Sequence, residues 1–291
     1  MTSSSRSYGD ELAIVIVTYS PGETLDRNLD SIAAATTREV RVVLADNGST
    51  DGAPERAAET RDEVEFLPTG ANLGFGGGAN RGVAALGDEF GWVVVCNADV
   101  EWAPFALDEL LAATSRWPRG GAFGPLITEP DGGIYPSARL LPSLGRGAGH
   151  AVFGRVWPGN PWSRAYRQAT AKVEERTAGW LSGSCLLLRR EAFDGVDGFD
   201  PRYFMYFEDV DLGDRLASRG WLNVYVPSAR ITHVGGHTTS RTPGKMLLEH
   251  HRSAYRYLAD RHRGAVWAPL RLALRLALAV RARLEVRAGS K

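Results

Sequence analysis

This chain predicts an α/β fold: a parallel, Rossmann-like sheet flanked by helices, followed by a C-terminal helical appendage. Three observations predict it. Short β-branched apolar runs recur through the N-terminal part, helix-length segments separate them, and the C-terminal end is dominated by leucine, alanine and arginine. Alternating strands and helices favour a parallel sheet, which collects ligand sites at the carboxyl ends of its strands.

The elements follow in order. "LAIVIVTY" (Leu12 to Tyr19) is an apolar run closed by "SPG", a strand and its turn. "TLDRNLDSIAAA" supplies the next helix, with Leu25, Leu29 and Ile32 at helical spacing. Val40 to Asp46, Val64 to Pro68 and Trp92 to Asp99 repeat the strand signal, separated by helices around Pro54 to Thr60 and Gly76 to Leu86. After Gly121 to Ile127 the texture turns to prolines, glycines and aromatics as far as Gln168, read as loops packed over the site. Order resumes with "WLSGSCLLLRREAF", "FDPRYFMYFEDVDLGDRLASRG" and the strand-like "WLNVYVP". A helix, "GKMLLEHHRSAYRYLADRH", then precedes an arginine-studded apolar tail from Val266 to Arg287. The expected division is a flexible tail over 1–11, one α/β domain over 12–245 and a basic helical region over 246–291.

Composition narrows the function. The 291 residues carry 34 basic and 34 acidic side chains, so no global field draws in nucleic acid, and none is expected as a partner. Cys96 and Cys185 sit in apolar runs and read as small core residues, with no disulfide framework. The polar N-terminus lacks the apolar segment of a secretory signal, and nowhere do roughly 18 apolar residues run uninterrupted. The expected location is cytoplasmic. In the tail, Arg271, Arg275, Arg281, Arg283 and Arg287 face only Glu285, and this predicts peripheral attachment to the anionic inner face of the cell membrane.

"ANLGFGGGANRG" (Ala71 to Gly82) contains a G-x-G-x-x-A match to a dinucleotide-binding turn. A dehydrogenase would carry that turn directly after its first strand, where this chain has "TYSPGET". Other blocks lie at strand ends: "VTYS" at Val17, "ADNGSTDG" at Ala45, "NLGFGGGANRG" at Asn72 and "NADV" at Asn97. "FMYFEDVDLGDR" follows at Phe204. In that order the five blocks resemble family 2 glycosyltransferases, and the resemblance covers about Leu12 to Gly236. It implies a GT-A fold, an inverting transfer from a nucleoside-diphosphate sugar, and a divalent metal, Mg2+ or Mn2+. Within that family the likeness leans towards rhamnosyltransferases. These imply a dTDP-sugar donor and a polyprenyl-diphosphate-linked sugar acceptor, through "YPSAR" (Tyr135 to Arg139) and "GWLSGSCLL" (Gly179 to Leu187).

The resemblance assigns roles residue by residue. Asp46 would accept the imide N–H of a pyrimidine base; the other reading is an Asx turn ahead of Asn47-Gly48. Thr18 and Tyr19 would touch the nucleoside largely through backbone, and Asn72, Gly74 and Asn80 would shape the floor beneath the donor. Asn97 and Asp99 match the family's DXD motif with its first acid replaced, and His233, with His237 as the alternative, would complete the metal site. Asp209 would be the base, kept ionised by a helix N-terminus, and Glu208 would orient the acceptor or Asp209. Asp211 and Arg215 stand at i,i+4 spacing and can pair. Trp180 would stack on a sugar face or fill the core, while Arg139 and Arg202 would meet phosphate. Rival readings are a family 2 enzyme using a galactofuranosyl or glucosyl donor, a sugar nucleotidyltransferase, and a non-catalytic binding module. The nucleotidyltransferase lacks its glycine-rich, lysine-containing loop, and retention of Asp99 and Glu208-Asp209 argues against the module.

Overall fold

A computed structural model describes residues 7–142, 173–235 and 243–289. Its centre is a ten-stranded sheet. β1 (Leu12–Thr18), β2 (Arg41–Asp46), β3 (Val64–Pro68) and β4 (Trp92–Asn97) are the apolar runs of the sequence, joined in parallel in the order β3-β2-β1-β4. β5 (Val100–Trp102), β6 (Gly120–Thr128), β11 (Cys185–Arg189) and β12 (Leu222–His233) extend the sheet in the order β4-β11-β6-β12-β5. The short strands β7 (Ile134–Tyr135) and β9 (Arg176–Ala178) pair with β6 and β12, and β8 (Ala138–Arg139) pairs with β10 (Trp180–Leu181) separately.

The wholly parallel sheet expected from alternation is corrected at β11, which runs antiparallel to both β4 and β6. The chain returns to the sheet from above the strand ends, where the Ser184 carbonyl accepts the Asn97 N–H, so β11 must run downwards. β5 is likewise antiparallel to β12.

Strand alternation feeds two cores. Ile14, Ile16 and Leu44 face α1 (Thr24–Ala35), α2 (Ala53–Thr60) and α4 (Ala106–Arg116) through Leu25, Leu29, Ala57, Leu107 and Leu110. Val15, Val43 and Val95 face α3 (Gly74–Ala84), α5 (Arg190–Asp194) and α6 (Glu208–Ser218) through Ala79, Val83, Phe193, Leu212 and Leu216. Cys96 and Cys185 are register partners on β4 and β11, fully buried, with both thiols pushed up by that burial, the Cys96 thiol to about 12.

Two boundaries shift. Residues 7–11 of the expected flexible tail are tied down: Tyr8 donates its hydroxyl to Asp194 and Gly9 N–H donates to the Asp88 carbonyl. An aromatic anchor and backbone pairing outweigh the polar composition of that segment; residues 1–6 lie outside the described residues. The break expected after residue 245 falls inside α7 (Pro243–Arg261), which packs on the domain through buried Tyr257 in a cluster with Tyr203 and Val210. α8 (Ala268–Gly289) follows a 3₁₀ turn at Ala265–Trp267 and leaves Val266, Trp267, Leu272 and Leu276 exposed. No helix among the described residues is long and apolar enough to cross a membrane. The loop residues 143–172 lie outside the described residues.

Candidate active site

The carboxyl ends of β1 and β2 form one wall. Asp46 is buried, and both its oxygens are occupied. Oδ1 accepts the hydroxyls of Thr18, at 2.7 Å, and Ser49, while Oδ2 accepts the N–H groups of Gly48 and Ser49 at 3.0 and 2.9 Å. The Asx-turn reading of Asp46 is therefore the one built here, since four donors fill a carboxylate's four acceptor positions. A base whose imide N–H is accepted by Asp46 would share these oxygens with the four donors. Thr18 spends its hydroxyl on Asp46, whereas Tyr19 stays 43% exposed at the rim. Sequence reasoning missed the lacing between the two loops. Ser49 Oγ accepts Ser20 N–H, Ser20 Oγ accepts Thr50 N–H, and Asp51 accepts Gly22 N–H. Its only sequence signal is the density of Ser, Thr and Asp in "NGSTDG".

The glycine-rich stretch expected to floor the donor makes close packing contacts. Gly74 has φ +73°, and a Cβ there would lie 1.9 Å from the Phe204 carbonyl oxygen. Cβ atoms on Gly78 and Gly82 would strike Val17 and Val15 on β1, so α3 lies unusually close to the sheet. Asn72 accepts the Gly74 N–H, and Asn47 donates to the Gly74 carbonyl. Asn80 uses its whole amide on Phe199, donating to the carbonyl at 2.7 Å and accepting the N–H at 2.8 Å. These contacts bind α3 to the 199–208 segment. Gly74→Ala is expected to cost upwards of about 1 kcal/mol, from the left-handed backbone alone. A fall in the denaturation midpoint checks this, and an unchanged midpoint would contradict the assignment.

A second centre forms where β4 ends. Cα pairing of His233 with Val100 brings the imidazole next to Asp99. His233 Nε2 lies 3.1 Å from Asp99 Oδ1 and 3.1 Å from Asn97 Nδ2. Burial alone would raise the Asp99 carboxyl, but the His233 contact and backbone donors outweigh it and hold it below the ordinary range. One ring nitrogen cannot both donate to Asp99 and accept from Asn97. In the tautomer that accepts from Asn97, two acceptors confront one another at 3.1 Å, an arrangement that a divalent cation satisfies. Asp99 and His233 could together hold a divalent cation, since cations of this class that sit on a diphosphate need only one or two carboxylates. Among the described residues no group of three His, Cys, Asp or Glu converges as a metal cluster. His237 lies outside the described residues. Asn28, on the buried face of α1, donates to the Asn97 carbonyl and accepts from Trp102, bracing this turn. A cavity of roughly 500 Å³, lined in part by Glu129, Asp131, Tyr135 and His233, opens beside it.

The third centre is the start of α6. Tyr206 and Phe207 both take left-handed backbone, at φ +65° and +68°, immediately before Glu208. Asp209 Oδ2 accepts the Gly183 N–H at 3.0 Å and Oδ1 accepts its neighbour Val210's N–H at 2.8 Å. Burial nevertheless raises the Asp209 carboxyl, against the pull of those donors and of Arg139, so the expectation that the helix N-terminus simply keeps it ionised is corrected. Glu208 is raised as well, by burial and by the Asp209 charge, and its Oε2 has no hydrogen-bond partner. Anion-stabilising donors surround Asp209 and none reaches Glu208 Oε2, so the pair keeps its proton on Glu208 and its charge on Asp209. Gly183 was missed by sequence reasoning; it lies in "SGS", where a Cβ would come within 3.3 Å of Asp209 Cβ.

Around this centre the expected binding residues divide. Arg139 stacks on Tyr135 and Trp180 at 5.2 and 5.3 Å, and its charge reaches Asp209. Trp180 is half-buried, donates its indole N–H to the Leu140 carbonyl, and packs on the Tyr203 cluster. Arg202, expected to meet phosphate, pairs with Asp200 and Asp260, at 2.6 and 2.7 Å. Asp211 and Arg215 pair at 2.6 Å, as their spacing allows.

The chain was compared with known proteins. The sequence model of the family described as "Glycosyl transferase family 2" matches residues 13–196, and that of "Glycosyltransferase like family 2" matches 138–255. A curated N-acetylglucosaminyl-diphospho-decaprenol L-rhamnosyltransferase of Mycobacterium tuberculosis is 57% identical over 289 residues, covering 96% of this chain and 94% of that protein. A rhamnosyltransferase of Escherichia coli is 41% identical over 80 residues, 28% of this chain and 30% of its own length. Among solved structures, a Pyrobaculum calidifontis mannosyltransferase with GDP-Man and Mn2+ superposes with TM-score 0.60 at 17% identity, over 98% of this chain and 76% of its own. GalNAc-T7 with UDP, GalNAc and Mn2+ superposes with TM-score 0.57 at 17% identity, over 77% and 44%.

Proposed function

The chain belongs to glycosyl transferase family 2 and has its GT-A fold, and from that premise we propose that it inverts the anomeric centre of L-rhamnose while moving it from dTDP-rhamnose to a GlcNAc-diphospho-polyprenol. The observation that carries the chemistry is the tripeptide Ser182 to Ser184. Gly183 N–H binds Asp209, and the next residue's carbonyl binds Asn97, so base and metal pair stand on neighbouring backbone groups. The likeness to the mycobacterial enzyme supports the donor and acceptor, and with them a place in synthesis of a cell-wall linker. Another family 2 activity, with a galactofuranosyl or glucosyl donor, is the alternative.

Asp99 and His233 would hold a divalent metal, which supplies positive charge to the departing diphosphate. Asp209 takes the proton from the acceptor hydroxyl as its oxygen bonds to the anomeric carbon; the bond to the dTDP oxygen breaks on the opposite face. Glu208, protonated, keeps a second negative charge away from that oxygen. Trp180 and Arg139 offer a stacked aromatic-cationic face to the acceptor sugar and its diphosphate. The test is nucleotide release from a panel of dTDP-, UDP- and GDP-sugars, with and without a lipid-diphosphate-GlcNAc. Release that depends on dTDP-rhamnose and acceptor together supports the reading; dependence on another donor selects the alternative.

The same reading places the enzyme on the cytoplasmic membrane surface. α8 exposes Leu272 and Leu276 beside Arg271 and Arg275, and the 3₁₀ turn exposes Val266 and Trp267. The side chains of Arg281, Arg283 and Arg287 lie outside the described residues. Each arginine at an anionic surface contributes about 1 kcal/mol. Full-length protein is expected to float with anionic liposomes in a salt-sensitive way, and a chain ending at Gly264 to float less. Equal flotation of the two would reject docking by this segment.

A further inference from the structure

The strained turn that carries the catalytic acid pair is covered by α7. Ser253 Oγ, on a residue only 4% exposed, donates to the Met205 carbonyl at 3.0 Å, and Arg256 donates to the Arg202 carbonyl at 2.6 Å. The His250 ring lies edge-on to both Tyr206 and Phe207, at 5.4 and 5.6 Å, and Phe207 meets Tyr257 at 5.7 Å. Tyr257 is buried, its hydroxyl donates to Asp214 of α6 at 3.3 Å, and Arg261 pairs with the same carboxylate at 2.8 Å. His250, Ser253 and Tyr257 recur at helical spacing and so share one face of α7.

That face answers a physical problem. Bulky residues seldom take left-handed backbone, and two in succession persist only where the surroundings over-determine them. Tyr206 and Phe207 are such a pair, and the next residue opens α6. Release of their strain would rotate the first turn of α6 and carry Asp209 off the Gly183 N–H. From the other side Gly74, without a Cβ, and the Trp180 ring pack on this segment, while α7 supplies side-chain hydrogen bonds to its Arg202 and Met205 carbonyls and so provides the directional hold.

We propose that α7 is the positioning element of this enzyme: Ser253, flanked by Arg256 and Tyr257, pins the 202–207 segment in its strained form and thereby aims Asp209. These are positioning residues, which act through the turn rather than on the reacting atoms. The inference rests on the reading of Asp209 as the base.

The test uses the full-length chain with Ser253→Ala, Ser253→Thr as the conservative rescue, and Arg256→Ala, whose contact is exposed and tolerates truncation if Ser253→Ala does not fold. The alanine variants are expected to lower kcat by roughly tenfold or more, the scale of a catalytic group misplaced within its site, while donor KM is unchanged. Ser253→Thr restores kcat. Amide exchange across residues 203–209 is expected to accelerate in the alanine variants while exchange in the β1–β4 strands stays as in the parent. Parental kcat in both alanine variants, or a kcat loss accompanied by an equal loss of donor affinity, overturns the proposal. Exchange is read without substrate, so unchanged exchange at 203–209 overturns it even if the parent transfers no sugar, an outcome that by itself would refute the functional reading instead.

Discussion

Asp209→Asn is expected to lower turnover by roughly 10²- to 10⁴-fold while leaving donor binding nearly intact, the scale on which a positioned general base contributes. The amide keeps the shape of the carboxylate but has no basic oxygen for the acceptor's proton. Its donor set makes the test discriminating. Oδ2 accepts from Gly183 and Oδ1 from Val210, so an amide can satisfy one of the two N–H groups through its oxygen and stay seated. Isothermal titration of the nucleotide against the variant checks the binding half. Loss of dTDP affinity as severe as the loss of turnover would sink the role of Asp209 as base.

The same group sets the pH dependence. Burial raises the Asp209 carboxyl, so the proton that disables the base arrives at a higher pH than for an exposed aspartate. Turnover is therefore expected to fall on the acid side through that raised value and to be full above it. Glu208 moves in the same direction, raised by burial first and by the Asp209 charge second. The acid limb consequently belongs to the pair. Glu208 already carries the pair's proton, so Glu208→Gln replaces one neutral side chain with another and the acid limb of that variant is expected to stay where it is in the parent.

The elements of the sheet were legible because buried strands and amphipathic helices leave apolar runs of fixed length and period. β1, β2, β3 and β4 fall within a residue or two of the runs that predict them. Direction is different: "CLLLR" carries no mark of which way it runs, and β11 is antiparallel because of where the preceding loop re-enters. In the site, the blocks located the acids but not their partners. Nothing in "ADNGS" says that Ser49 and Thr18 fill the acceptor positions of Asp46, since that depends on two loops meeting. The glycines announced a close approach without naming the neighbour, which is Phe204 and β1. Gly183 lies 26 residues before Asp209, and left-handed backbone at Tyr206 and Phe207 contradicts their residue types. Such features are fixed by tertiary packing, and local sequence does not encode them.

Asp99→Ala is expected to differ in kind from Asp209→Asn, weakening donor binding and turnover together. In the proposed mechanism the two centres do different work: Asp209 would receive a proton, while Asp99 and His233 would hold the cation that neutralises the diphosphate. Among the described residues no group of three His, Cys, Asp or Glu converges there, which leaves Asp99 and His233 as the candidate pair, with Asn97 contributing an amide in place of a carboxylate. A site with two protein ligands leans on each of them more than a three- or four-ligand cage does. Substitutions even one shell out commonly cost 10- to 100-fold in metal affinity, so loss of Asp99 itself is expected to cost at least about that much. His233→Ala should follow the same pattern, and its removal also frees Asp99 from the contact that holds its carboxyl low. Chelation of the parent enzyme by EDTA should abolish transfer, with recovery on addition of Mg2+ or Mn2+. The donor KM measured against added metal then separates the variants: Asp99→Ala needs more cation to reach half-saturation, whereas Asp209→Asn needs no more than the parent. Transfer that survives both the chelator and Asp99→Ala would leave the diphosphate to be neutralised by the arginine face at Arg139, and the metal assignment would be wrong.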